Sequence, residues 1–352
     1  MLSPCALELT CGVVLAGTFP WANSAFDRLA PRPLVPLAHR PLIGFALSWL
    51  QDAGVRRVVV CGNRNTRAIE KQLAPLASQL EVSYLEDDMP RGAAGCTYDA
   101  AQSCRSRTFV VTDGTAMPNV DLADVLSRHH ASAAAMTMVV SVEPGGAGES
   151  ALHVPAGIYV LNRAVVDAVA PYGFVDIKEH LIPKLVRAGE RIATYAAAGA
   201  VPRVLNARTY LAASEIAAQL MTSGRTLPPG YELRGSALVH RNASVDLDVI
   251  LVGPVVVAAG ASIAGNAVVI GPASIGCDAV IDAGAVVSRS AVWRRAHIAG
   301  SAVVDRSIVG DDAAIGQHRQ VYRSVIIGHS RLTPRRESAG SGATAEKARS
   351  VA

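Results

Sequence analysis

Aromatic residues are scarce in this chain, at 5% of 352 residues with only three tryptophans, so the hydrophobic half of the sequence is aliphatic and rich in Ala and Val. The six cysteines (Cys5, Cys11, Cys61, Cys96, Cys104 and Cys277) form no CxxC pair and no zinc-finger spacing. That excludes a metal finger or a disulfide framework and reads as reduced thiols in a cytosolic protein. No concentrated basic stripe is present, since the net charge of +4 is spread along the chain until its last residues. Nucleic-acid binding as the main role is thereby disfavoured. No run of about 18 uninterrupted apolar residues occurs, and no basic-then-apolar leader opens the sequence. The expectation is a soluble cytoplasmic protein without a membrane anchor.

What is present is an alternation of strand and helix between residues 8 and 222. CGVVLAG reads as a buried strand and PLIGFALSWLQDAG as an amphipathic helix. VRRVVVCG is a second strand, and NTRAIEKQLAPLASQL a second helix. EVSYLED, AAGCTYDAAQSC and TFVVTDG continue the series as strand, helix and strand. Apolar strands alternating with helices predict a Rossmann-like, doubly wound α/β domain with a parallel sheet and helices on both faces. In such sheets ligands sit beyond the carboxyl ends of the strands, which singles out Gly17, Gly62, Glu86 and Asp113.

Past residue 234 the period changes to six. Val245, Leu251, Val257, Ile263, Val269, Ile275, Ile281, Val287 and Trp293 recur at that step without a miss. Small residues sit two places before most of them, as at Ala261, Ala267, Ala273, Ala279, Ala285 and Ala291. Neither a helix nor a simple strand gives a step of six, whereas hexapeptide repeats do, coiling into a three-sided parallel β-helix. The nine residues are expected to point inward. The register loosens after Trp293, with Ile298, Ile308 and Ile315 marking irregular coils, so the solenoid is placed at residues 234–329. The polar remainder, 330–352, is expected to be a disordered tail.

A Leu-Ala-Gly loop at Leu15, Ala16 and Gly17, the Pro31-Arg32-Pro33-Leu34 stretch, the doubly wound domain and the hexapeptide solenoid together resemble the sugar-phosphate nucleotidyltransferases. That family includes mannose-1-phosphate guanylyltransferase and the ADP-glucose and dTDP-glucose pyrophosphorylases. PLIGFALSWLQDAGVRRVVVCG, RGAAGCTYDAA, PAGIYVLNRAVVDAV and DIKEHLIPKLVRAGERIATY carry its rhythm. The resemblance implies a left-handed β-helix. It also implies a reaction that joins a nucleoside triphosphate to a sugar 1-phosphate with release of pyrophosphate, which depends on positioning and charge neutralisation.

Carried over residue by residue, the resemblance puts nucleotide binding on Leu15, Ala16, Gly17, Gly92, Gly95 and Asp113. It puts the catalytic cation on Arg32 and sugar-phosphate contacts on Gly157 and Arg203. The chemistry departs from the family at several of these places. Counted from Gly17, the loop reaches Pro31 at the family's interval, but its glycines fall on Thr18 and Pro20, its threonine on Trp21 and its arginine on Ala22. Proline offers no N–H and Trp21 fills space where a triphosphate would lie. The family's lysine falls on Arg32, which keeps the charge but is a different reagent. Its two magnesium carboxylates fall on Thr115, with Asp113 as a stand-in, and on Arg203. Hard Mg²⁺ requires carboxylate oxygens, and a guanidinium repels it. The asparagine before Ala156-Gly157-Ile158-Tyr159-Val160 falls on Pro155, and the Glu-Lys-Pro segment shrinks to Val142-Glu143-Pro144. Arg91-Gly92-Ala93-Ala94-Gly95 preserves the nucleobase loop, although a tight strand-to-helix turn accounts for its glycines equally well.

The leading expectation is a nucleotidyltransferase homologue with little or no pyrophosphorylase activity. It would serve as a regulatory or structural subunit, alone as a homo-oligomer or paired with an active paralogue, and would bind a nucleotide sugar or sugar phosphate. Arg203 near Arg32 would hold a diphosphate without metal. A second reading keeps the enzyme active, with Mg²⁺ held by Asp113 and a carboxylate such as Asp87, Asp88 or Asp176. A third is acyl transfer by the solenoid with His297, His318 or His329 as general base.

Overall fold

The computed structural model describes residues 9–17, 24–63, 65–74, 80–143, 152–199, 201–223 and 227–328. The loop substitutions at Thr18, Pro20, Trp21 and Ala22, together with Pro144, His329 and the tail, lie outside these residues.

Apolar segments flanked by polar turns become strands, the central ones rich in Val because β-branched side chains fit a pleated, buried surface. They are β1 (Thr10–Leu15), β4 (Arg57–Gly62), β5 (Glu81–Glu86), β6 (Thr108–Asp113), β7 (Met136–Glu143), β8 (Leu152–Asn162) and β9 (Ile192–Ala197). A small hairpin, β2 (Pro36–Leu37) and β3 (Arg40–Pro41), precedes helix α1 (Leu42–Asp52). Further helices are α2 (Thr66–Leu73), α3 (Gly92–Gln102), α4 (Leu122–Ala131), α5 (Arg163–Asp167), α6 (Ile182–Arg187) and α7 (Ala207–Ser223). The start of α4 is set by Asp121, whose side chain accepts from the backbone N–H groups of Ala123 and Asp124 at 2.9 and 3.2 Å.

The seven strands form one sheet in the order β5-β4-β1-β6-β8-β7-β9. Strand alternation sends Val14, Val58, Val60 and Val110 to one face, under α1, α2 and α4. Cys11, Val13, Val59, Phe109 and Val111 go to the other face, under α3, α5 and α6. The expectation of an all-parallel sheet is corrected at β8, which runs antiparallel to both β6 and β7. The connection from β7 to β8 is too short for a crossover helix, so the chain returns antiparallel. The described cysteines, Cys11, Cys61, Cys96, Cys104 and Cys277, are free thiols. Among the described residues no helix is long and apolar enough to cross a membrane.

From Tyr231 onward short strands stack into three parallel sheets, apart from the antiparallel entry pair Tyr231–Arg234 and Ala237–His240. The result is a parallel β-helix. Val257, Ile263, Val269, Ile275, Ile281 and Val287 point into its core with Ala261, Ala267, Ala273, Ala279 and Ala285. Trp293 departs from the expected inward series. Val292 takes the core position, and the Trp293 ring packs outside, against Tyr210. The reason is a change of coil length. Early coils pair residues eighteen apart, as Ser262 with Val280, and later ones seventeen apart, as Val280 with His297.

The two halves share a core of their own. Phe26, Leu37, Leu42, Met117 and Tyr210 pack with Leu238, Val256, Trp293 and Ile308. The Tyr210 hydroxyl donates to the Pro36 carbonyl at 2.6 Å and accepts from Trp293 Nε1 at 2.8 Å. Helix α7 thus joins the sheet domain to the solenoid.

Candidate functional site

Parallel register aligns the ends of β1, β4 and β6, pairing Leu15 with both Cys61 and Asp113. At this edge Ala16 is buried and its N–H donates to the Cys61 carbonyl at 2.7 Å, while Gly114 N–H donates to the Leu15 carbonyl at 2.8 Å. Gly17 is exposed at the end of the same strand. Antiparallel pairing of Thr112 with Ile158 then brings Gly157, on β8, beside Asp113.

The segment before α7 completes the cluster. Arg203 forms an isolated bridge with Ala116, flanked by hydrogen bonds from Met117 N–H to the Pro202 carbonyl (2.9 Å) and from Val204 N–H to the Thr115 carbonyl (2.8 Å). Its guanidinium is ion-paired with Asp113 Oδ2. The other oxygen, Asp113 Oδ1, accepts from the N–H and hydroxyl of Thr115 at 2.9 and 2.8 Å. Both carboxylate oxygens therefore have protein partners. Arg203 Nε is buried without an acceptor. Beside it lies Gly157, at φ +75°, where an added Cβ would stand 3.5 Å from Asp113 Cβ and 3.7 Å from Arg203 Nε. The left-handed backbone favours glycine, and its missing side chain keeps space open beside that nitrogen.

Tyr159 was not singled out from sequence and belongs to the same neighbourhood. It lies two residues after Gly157, on the same face of β8. Burial pushes its phenol up to about 12, Asp176 and Asp113 add to the rise, and Arg203 opposes it. The alternation along PAGIYVLN was the available signal, but an aromatic in an apolar strand reads first as core.

The other predicted residues fall elsewhere. Arg32 opens a short 3₁₀ turn and its guanidinium lies 2.9 Å from Asp27 Oδ1, with both side chains largely covered. Burial pulls the Asp27 carboxyl upward, but hydrogen bonds from Ser24 and Arg32 outweigh it and hold the carboxyl below its ordinary range. Arg32 is thus paired with Asp27 and makes no hydrogen bond or ion pair to Asp113 or Arg203.

Gly92 and Gly95 begin α3. A Cβ on Gly92, at φ +72°, would lie 2.6 Å from the Val175 carbonyl oxygen. That carbonyl accepts from the N–H groups of Ala94 and Gly95 at 3.0 and 3.2 Å. A Cβ on Gly95 would press on Arg91 Cβ at 2.9 Å. Close packing against Val175 and Arg91 accounts for both glycines.

Asp87 accepts from Arg91 N–H at 3.2 Å, Asp88 is exposed, and Asp176 caps the next helical turn through Lys178 and Glu179 N–H. Among the described residues no three His, Cys, Asp or Glu side chains gather in a metal-holding group. His297 meets Asp282 at 2.8 Å on an exposed face of the solenoid, and His318 stands exposed at a left-handed corner.

Comparison with known proteins gives two family matches, a nucleotidyl transferase domain over residues 27–150 and a GMPPB C-terminal domain over residues 234–333. A mannose-1-phosphate guanylyltransferase of Mycobacterium tuberculosis is 26% identical over 255 residues, covering 66% of this chain and 70% of that protein. A probable mannose-1-phosphate guanylyltransferase 2 of Oryza sativa is 24% identical over 345 residues, covering 90% of each. Among solved structures, HddC from Yersinia pseudotuberculosis has a TM-score of 0.50 at 14% identity, covering 58% of this chain and 98% of its own, a likeness of fold.

Proposed function

Because the chain belongs to the sugar-phosphate nucleotidyltransferases, with a C-terminal repeat domain, we propose that it uses the family's pocket to bind a nucleotide sugar or sugar phosphate without metal, with nucleotidyl transfer weak or lost. The observation that carries this reading is the Asp113–Arg203 pair. Mg²⁺, which the family implies, needs carboxylate oxygens free to coordinate it. Asp113 has one oxygen on Thr115 and the other on a guanidinium, so the residues present do not fit a divalent cation. They suit an anion instead. Arg203 Nε is a buried donor lacking an acceptor, and leaving such a group unpaired costs about 1–3 kcal/mol. A phosphoryl oxygen seated over Gly157 would satisfy it, and a guanidinium fork matches phosphate geometry.

On this reading the chain is a regulatory or structural subunit in nucleotide-sugar or polysaccharide biosynthesis, assembled with a second copy or with an active paralogue. Exposed apolar side chains on the flank of the solenoid, Leu247, Ile250 and Val252, support such an assembly.

Two measurements test the proposal together. Pyrophosphate release is followed with GTP, ATP, UTP or dTTP, sugar 1-phosphates and Mg²⁺. Calorimetry then follows GDP-mannose, UDP-glucose, ADP-glucose and dTDP-glucose with and without Mg²⁺. Turnover well below about 1 s⁻¹ and metal-independent binding of one nucleotide sugar are expected. Turnover near that rate would establish a working nucleotidyltransferase and overturn the reading.

A further inference from the structure

A cavity of about 730 Å³ lies between α7 and one corner of the solenoid, away from Asp113 and Arg203. Helix α7 contributes Arg208, Leu211 and Glu215 to its wall, and the solenoid contributes Arg289, Arg306 and Arg323. The volume falls within the roughly 300–1,000 Å³ of small-molecule sites.

The corner is built by a change in the repeat. In the first coils it is formed by Gly253-Pro254 and Gly271-Pro272, and in the next three by Arg289-Ser290, Arg306-Ser307 and Arg323-Ser324. The coil shortens from eighteen to seventeen residues here, since Ile270 pairs with Ser288 but Ser274 with Ala291. Each arginine takes the bend in left-handed backbone, at φ +46°, +47° and +46°. The serines behind them lock the column. Ser290 Oγ accepts from Ser307 N–H at 3.0 Å, and Ser307 Oγ accepts from Ser324 N–H at 3.1 Å. Three guanidinium stems therefore rise from one edge at the β-strand spacing of about 4.8 Å per coil.

Their charge is only partly compensated. Arg289 pairs with Asp305 at 3.0 Å, and Arg306 reaches that same carboxylate at 3.8 Å. Arg208 and Arg323 have no side-chain acceptor among the described residues, and of the acids only Glu215 lines the wall itself. Four planar forks against two carboxylates leave donors aimed at a ligand with more than one phosphoryl group.

We infer that this cleft binds a diphosphate group, as carried by inorganic pyrophosphate or a nucleoside diphosphate. The site is separate from the Arg203 pocket, and its test keeps the two apart. Full-length chain and its Arg203→Ala variant are titrated calorimetrically with inorganic pyrophosphate and with GDP, without divalent cations. Both probes are expected to bind Arg203→Ala saturably, pyrophosphate displacing GDP. Adding Arg306→Glu and Arg323→Glu should raise both dissociation constants at least tenfold. Circular dichroism checks folding, and if the charge reversals fail to fold, Arg208→Ala with Arg323→Ala replaces them under the same expectation. No binding to Arg203→Ala, binding indifferent to the corner arginines, or GDP that pyrophosphate does not displace would each overturn the assignment.

Discussion

At the scale of single residues, the site turns on which charge stands opposite Asp113. Arg203 supplies a permanent cation there, and the same geometry would accept a carboxylate. In Arg203→Asp the pair becomes two like charges at one edge, which repel unless a cation bridges them. The variant is expected to melt below the parent without metal and to regain stability with Mn²⁺, whereas the parent shows no metal-dependent shift. Thermal melts with and without Mn²⁺ check this. Asp113 and Arg203 were legible in the sequence because a strand end and a family register mark them. The Thr115 donors and the buried Nε were not, since both depend on how the segment at Arg203 pairs with Ala116. Gly92 shows the same limit, because its packing partner Val175 lies some eighty residues away.

At the scale of elements, α7 decides how the two halves meet. Tyr210 bonds Pro36, four residues past Arg32, and Trp293 on the solenoid, inside a shared apolar core. Tyr210→Phe keeps the ring but leaves the buried Trp293 Nε1 and the Pro36 carbonyl without this partner. A loss of about 1–3 kcal/mol in urea unfolding is expected. The six-residue period displayed the solenoid in the sequence while failing at Trp293. A period is a running count, so one residue removed at Arg289-Ser290 shifts every later position, and Val292 turns inward instead. The antiparallel β8 was likewise hidden, because hydrophobic runs announce strands but not their direction.

Across the whole molecule, pH acts on the junction through His39. Its Nε2 lies 3.3 Å from the Val256 carbonyl of the solenoid, and burial pushes the imidazole down to about 4. His129 is lowered too, first by burial, beside Thr137 and Asn162. Between pH 6.5 and about 4 the unfolded chain takes up protons that the folded chain refuses. Stability is therefore complete above the unfolded value and falls as pH drops through this window. His39→Gln should flatten that fall, leaving the smaller share from His129. Melting temperatures of both chains at half-unit steps of pH report it. The order of domains was readable from composition and period alone. The seam between them was not, since it joins Phe26, Tyr210, Leu238 and Trp293 from distant stretches that each look like ordinary core.

The Arg-Ser corner recurs as a unit, one per seventeen-residue coil, and each coil touches only the coils beside it. The charge of that cleft is therefore quantised. Excising residues 306–322 would join Asp305 to Arg323, keep the phase of the remaining strands and remove a single guanidinium, that of Arg306, from the cleft. Duplicating the same stretch would add one. Descent by whole-coil gain or loss could thus retune this surface in integer steps while the sheet domain and its Asp113–Arg203 pair stayed untouched.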